Sequence, residues 1–263
     1  MSNVQIVAVL SLSVVAIGAL WLVRRRYWEF TIPQLILLMA AKMLVRVLWR
    51  AKQPKHWPLP PGQGAILVCN HRSSVDPFFI QTMVDRPIRW MVAREYFSQR
   101  GLGLFLRICN AIPVGRAGVD TAATKMAMRW AREGGLVGML PEGRINITDQ
   151  FMLAVRPGAI MVALHARVPI LPCYIEGSPY RGTVGSPFFT RARVRVVIGE
   201  PFDLSPYYDT KSDEGVAGEL TLQVVRRIAA LAGRPDFEPQ LAGRHWKPRH
   251  PADLAAEKDS TEN

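Results

Sequence analysis

"AILVCNHRSSVDP", residues Ala65–Pro77, is the stretch on which the reading of the whole chain turns. A short uncharged run ends at Asn70, a polar loop follows, and Asp76-Pro77 has the form of a helix start, with proline at the first helical turn. Strand, loop, helix is the unit from which α/β domains are built. The loop after such a strand lies at the carboxyl edge of the sheet, where these folds display reactive groups. His71 and Asp76 stand five positions apart in that loop. Taken alone, the pair serves helix capping or proton traffic equally well.

Outward from this stretch, the same alternation recurs. Short apolar runs that read as strands are "AILVCN", "IRWMVA", "AIPVGR", "GLVGML", "PILPCYI" and "RVRVVIG". Helical patterns cover Pro77 to Met83, Asp120 to Glu133, Gly158 to His165 and Asp213 to Ala232. The expectation is an α/β domain with a mixed, largely parallel sheet flanked by helices. Its span is 56–232, after the proline-rich linker "KQPKHWPLPPGQG", and a polar, loosely ordered tail is expected over 233–263.

The 263 residues are about half hydrophobic, enough for a sizeable core, and carry a formal net charge of +12. Such a balance favours anionic partners without choosing among them. The N-terminal part chooses. "VQIVAVLSLSVVAIGALWLV", Val4 to Val23, has no charge and is long enough to cross a bilayer, and it closes on Arg24, Arg25 and Arg26. Basic residues after the apolar run, not before it, point to an uncleaved anchor with the remainder of the chain on the cytoplasmic side. "IPQLILLMAAKMLVRVLWR", Ile32 to Arg50, repeats its cations every four residues at Lys42, Arg46 and Arg50, which predicts an amphipathic helix lying in the interface. Between Trp21 and Lys55 eight basic residues face the single acid Glu29, which suits an anionic membrane surface. Residues 1–55 are therefore expected to form an anchor and interfacial helix. No nucleic-acid-binding motif is present, so nucleic acid is not an expected partner.

Cys69, Cys109 and Cys173 are widely spaced and form no C-x-x-C pair, which argues against zinc or disulfides and for small buried side chains. Ser73 and Ser74 lie outside any G-x-S-x-G elbow and read as loop hydrogen-bonders. His165 falls on an apolar helix pattern and reads as a packed or capping residue.

Three further segments follow the His-Asp block in order: "IPVGR" with Arg116, "LPEGR" with Glu142, Gly143 and Arg144, and "VPILPCYI" with Pro169 and Pro172. Together the four resemble the motif blocks of the glycerolipid acyltransferase family, which includes the lysophosphatidic acid and glycerol-3-phosphate acyltransferases. The resemblance runs from about Ala65 to Pro201. It departs from the family pattern where "PEGRIN" lacks a threonine and brings Arg144 next to Gly143, and where Gly115 precedes Arg116. The resemblance implies a membrane-bound O-acyltransferase with a glycerol-3-phosphate acyltransferase-like fold. It would move a fatty acyl group from acyl-CoA or acyl carrier protein to a lysophospholipid, first of all 1-acylglycerol-3-phosphate. Another lysophospholipid acceptor, or hydrolysis by the same His-Asp pair, are the alternatives. His71 would be the general base and Asp76 its orienting carboxylate. Arg116, Glu142, Gly143 and Arg144 would receive the acceptor phosphate. Neither a metal nor a resident cofactor is called for.

Overall fold

In a computed structural model of the protein the described residues are 5, 18, 21–115, 120–210 and 214–243. They form six strands: Ala65–Cys69 (β1), Ile88–Ala93 (β2), Ile112–Val114 (β3), Leu136–Met139 (β4), Ile170–Glu176 (β5) and Arg195–Ile198 (β6). One sheet results, in the order β3-β2-β4-β1-β5-β6. All neighbours run parallel except β6, which returns antiparallel along β5. The α/β expectation holds, mixed and largely parallel.

The helices are Ile32–Val47 (α1), Asp76–Gln81 (α2), Leu102–Ile108 (α3), Thr121–Arg132 (α4), Gly158–Ala166 (α5) and Glu214–Leu231 (α6). β1 sits inside the sheet, so every residue of it is buried and the strand reads as a continuous apolar run. Its alternation still sorts two cores. Ile66 and Val68 join the alanine-rich inner faces of α4, α5 and α6, whereas Ala65, Leu67 and Cys69 meet Val45, Trp49, Phe79 and Ile80 on the other face. Where β2 and β4 pair, Trp90 lies opposite Gly138, and a Cβ at Gly138 would intrude on the indole ring.

α1 begins with a capping box. The Gln34 amide donates to Thr31 Oγ1 at 3.4 Å, and the Thr31 amide donates to Gln34 Oε1 at 3.0 Å. The helix then presents two apolar stripes. Leu38 is buried with Tyr27 and Phe30, Ala41 is buried, and Val45 joins the second core, while Ile32, Ile36, Met39, Met43 and Val47 are exposed, about half a turn away. The helix ends at Val47, so Arg50, at φ +41°, lies beyond it and does not complete the expected row of cations. Lys42 turns to the Tyr27 hydroxyl at 2.6 Å.

The chain just past α1 is built into the domain, since Trp49 is fully buried in the core and Gln53 donates to the Phe79 carbonyl at 2.6 Å. The expected tail starts as fixed chain: Leu241 bridges to Val155, and Phe237 packs edge-on against Phe151 at 5.0 Å. Among the described residues no helix is long and apolar enough to cross a membrane. The run at 4–23, read as an anchor, lies outside the described residues apart from Gln5, Gly18 and Trp21 to Val23.

Candidate active site

Because β4, β1 and β5 are adjacent and parallel, the segments that leave their carboxyl ends meet at one edge of the sheet. Asn70, the first residue past β1, extends the pairing with its side chain, donating to the Ile175 carbonyl and accepting the Ile175 amide, both at 2.8 Å. The backbone is thereby released to turn at His71 while the ladder beside β5 stays closed.

Asp76 then settles which of its two roles it plays. It is the first residue of α2 and its side chain makes no cap for that helix. The carboxylate points back along the chain. Its Oδ2 accepts the amides of Arg72 and Ser73, both at 2.7 Å, and lies 3.0 Å from His71 Nδ1. Its Oδ1 accepts the Ser178 hydroxyl at 2.6 Å. An oxygen that already receives two N–H donors is an acceptor, so the ring must donate from Nδ1, which leaves the Nε2 lone pair for chemistry. Asp76 is 0% exposed, and His71 borders the cavity described below.

The β4 exit carries the third block. Glu142 is fully buried; its Oε1 accepts the His71 amide at 2.7 Å and its Oε2 the Leu153 amide at 2.9 Å. Both oxygens are therefore occupied by backbone, and the expected phosphate contact for Glu142 gives way to a clasp behind the histidine. Asn146 closes the same junction, its amide donating to the His71 carbonyl at 2.7 Å. Burial pushes the Glu142 carboxyl up to about 7, against the two amides that favour its charge. Gly143 has φ +67°, and a Cβ there would meet no atom within 4 Å, so the backbone faces open space. Gly143 and Arg144 both line the cavity, as does Arg156, which the sequence reading passed over.

Arg116 lies outside the described residues, but the residue before it is fixed. The Gly115 amide donates to Asp120 Oδ2 at 2.9 Å, Arg94 reaches the same oxygen at 2.6 Å, and Asp120 Oδ1 caps α4 through the Ala123 amide at 3.0 Å. These amides, Ala123 first, hold the Asp120 carboxyl below its usual range. An Asp just ahead of a helix pattern was the visible signal for the cap; its hold on Gly115 was not. Ser178 gave no signal at all, being 102 residues from its partner.

Other side chains fall away from the chemistry. Ser73 and Ser74 donate to the carbonyls of Pro179 and Val184, so neither is poised as a nucleophile. Burial raises the thiols of Cys69 and Cys173, and that of Cys109 to about 11, well away from thiolate at neutral pH. The His165 ring donates from Nδ1 to the Met161 carbonyl one turn back in its own helix, at 2.8 Å. Among the described residues no group of three or more His, Cys, Asp or Glu could hold a metal ion.

The cavity beside His71 has a volume of about 1760 Å³. That exceeds the ~300–1,000 Å³ of an ordinary small-molecule pocket. Its walls are mostly apolar, with Phe78, Trp90 and Phe105 on one side and the thioethers of Met91, Met128, Met139 and Met161 elsewhere. Methionine fits irregular and variable chains well. A cavity of this character with an oriented imidazole, a glycine-faced backbone and arginines suits a lipid with a charged head.

An oriented imidazole beside a carboxylate, at the edge of a lipid-sized cavity, is a site at which acyl transfer can be run, and comparison with known proteins points to the same class of enzyme. A family model described as Acyltransferase matches residues 52–176. The chain is 26% identical to the 1-acyl-sn-glycerol-3-phosphate acyltransferase of Bacillus subtilis over 179 residues, covering 68% of this chain and 86% of that one. It is 28% identical to the protein of that name from Streptococcus pneumoniae over 218 residues, covering 78% and 75%. The crystal structure of the 1-acyl-sn-glycerophosphate acyltransferase of Thermotoga maritima superposes with a TM-score of 0.57, at 20% identity over 83% of this chain and 90% of that one, a likeness of fold. The chain carries an Acyltransferase domain over residues 52–176 and is an O-acyltransferase similar to the 1-acyl-sn-glycerol-3-phosphate acyltransferases.

Proposed function

We propose that the enzyme transfers a fatty acyl group from acyl-CoA or acyl carrier protein to the free hydroxyl of 1-acylglycerol-3-phosphate. The observation that carries this reading is the His71–Asp76 contact at the edge of an apolar cavity that also receives Gly143 and Arg144. In the reaction, His71 Nε2 takes the proton of the acceptor hydroxyl as its oxygen attacks the thioester carbonyl. Asp76 stabilises the imidazolium that forms. The tetrahedral intermediate collapses with loss of the thiolate, and the imidazolium returns the proton to that sulfur. The ester is formed, the thiol is released, and His71 is neutral again. No cofactor takes part in these steps.

Arg144 and Arg156 are the described cations for the acceptor phosphate, with Arg116 as the third by its place in the second block. The relatives named for the 1-acyl-sn-glycerol-3-phosphate activity support this acceptor. The exposed stripe on α1, from Ile32 to Val47, with Arg46 beside it, supports a seat on an anionic leaflet. We place the catalytic domain on the cytoplasmic face, held by the apolar run at 4–23.

The test is thiol release by the purified full-length protein with a panel of lysophospholipids and both donors. 1-Acylglycerol-3-phosphate should be the best acceptor, and His71→Ala should lose at least ~10²–10⁴-fold in turnover. Release of free fatty acid without need of an acceptor would replace this reading with the hydrolase, and undiminished turnover in His71→Ala would remove the base.

A further inference from the structure

The segment that follows β5 has work that the reaction does not account for. From Ser178 to Val194 it holds three arginines and no acid. At its tip, the single-turn helix Ser186–Phe189 leaves Phe189 90% exposed, the most exposed large apolar side chain among the described residues. This tip is not slack. Arg181 and Phe188 donate their amides to Ser186 Oγ and the Gly185 carbonyl at 2.8 and 3.2 Å, and Thr190 Oγ1 donates to the Ser186 carbonyl at 2.8 Å. A rigid turn that holds a phenyl ring out into solvent is suited to a medium other than water.

Its neighbours say which medium. Phe188, half exposed beside it, packs on Trp49 and on Phe78, both with ring centroids 6.0 Å away, and Phe78 packs on Phe105 at 5.7 Å. Phe78 and Phe105 line the cavity, so the tip stands at its rim. Arg181, Arg191 and Arg193 are exposed on either side of the aromatic pair. Aromatic tip, flanking guanidiniums and an adjoining lipid-sized cavity match an acyl region covered by anionic head groups.

We propose that the Gly185–Phe189 turn is a second membrane-contact element, in which Phe189 enters an anionic phospholipid leaflet at the rim of the cavity while Arg181, Arg191 and Arg193 hold its head groups. The segment is also fastened to the catalytic loop by three hydroxyls: Ser178 to Asp76, Ser73 to Pro179 and Ser74 to Val184. The partner is taken from the membrane reading above, but the turn is a different surface from α1 and is tested separately.

A nitroxide is attached at Phe189→Cys in the full-length protein, and at Gln63→Cys on the amino edge of the sheet, with unmodified protein as the blank for Cys109. Both are reconstituted in phosphatidylcholine vesicles with and without phosphatidylglycerol. The expected result is that the label at 189 gains collisions with oxygen and loses them with a water-soluble nickel chelate, more so with phosphatidylglycerol, while the label at 63 stays aqueous. A label at 189 as open to the chelate as that at 63 overturns the proposal. So does one shielded from both relaxants, which would mean that a protein surface, such as a second copy of the chain, covers the turn. In parallel, Phe189→Ser should raise KM about tenfold for an acceptor embedded in vesicles and leave a short-chain soluble acceptor unchanged. A protein that acylates no lysophospholipid yet carries its 189 label into the bilayer would defeat the proposed acceptor and leave this inference standing.

Discussion

The oxygens of Asp76 are shared among an imidazole, two amides and one hydroxyl, and these donors differ in what their loss should do. Removing the hydroxyl in Ser178→Ala takes one bond from a charged acceptor, worth ~1.5–3 kcal/mol, so turnover should drop about tenfold or somewhat more with folding intact. Steady-state rates beside a melting curve check this; an unchanged rate would mean the two amides suffice. Glu142 offers a pH test. Its folded pKa is raised to about 7 from an ordinary 4.5, so the stability it contributes is fully present below about 4.5 and is lost as pH rises through about 7. Urea unfolding of the wild type and Glu142→Gln should show the wild type's advantage shrinking between pH 5 and pH 8. A gap that stays constant would show that the carboxyl keeps its ordinary pKa.

At the scale of elements, the strands announced themselves because each is a short apolar run bounded by polar residues, and "IRWMVA" coincides with β2 from Ile88 to Ala93. The candidate site was legible as far as its ordered blocks, since His71, Asp76 and Glu142 come off the ends of neighbouring parallel strands. Its supports were not. Ser178 and Leu153 acquire their roles only when β5 and the chain after β4 close on the loop, and nothing in their local sequence marks that. The antiparallel turn of β6 was equally hidden, because alternation along a strand says nothing of its direction. Packing between elements makes its own prediction at Gly138, where Trp90 occupies the space of a side chain. Gly138→Ala should destabilise by ~1–3 kcal/mol through overpacking and shift the tryptophan emission, whereas an unaltered spectrum and midpoint would show that β2 and β4 can separate freely.

In the molecule as a whole, α1 belongs to two environments at once, with one stripe in the core and the opposite stripe outside. Trp49, just past its end, is 0% exposed, packs on Phe79 at 5.3 Å and donates to the Pro187 carbonyl at 3.1 Å. Trp49→Ala should therefore cost ~3–5 kcal/mol, read from chemical denaturation of the purified protein. A loss under about 1 kcal/mol would mean that the site collapses around the missing ring. For anyone who wants a detergent-free catalyst, this double loyalty rules out the obvious shortcut. Trimming the gene to begin after residue 50 would tear out part of the interior along with the greasy exterior. Repainting Ile36, Met39 and Met43 with polar side chains, and leaving their inward neighbours alone, is the route that keeps the enzyme whole.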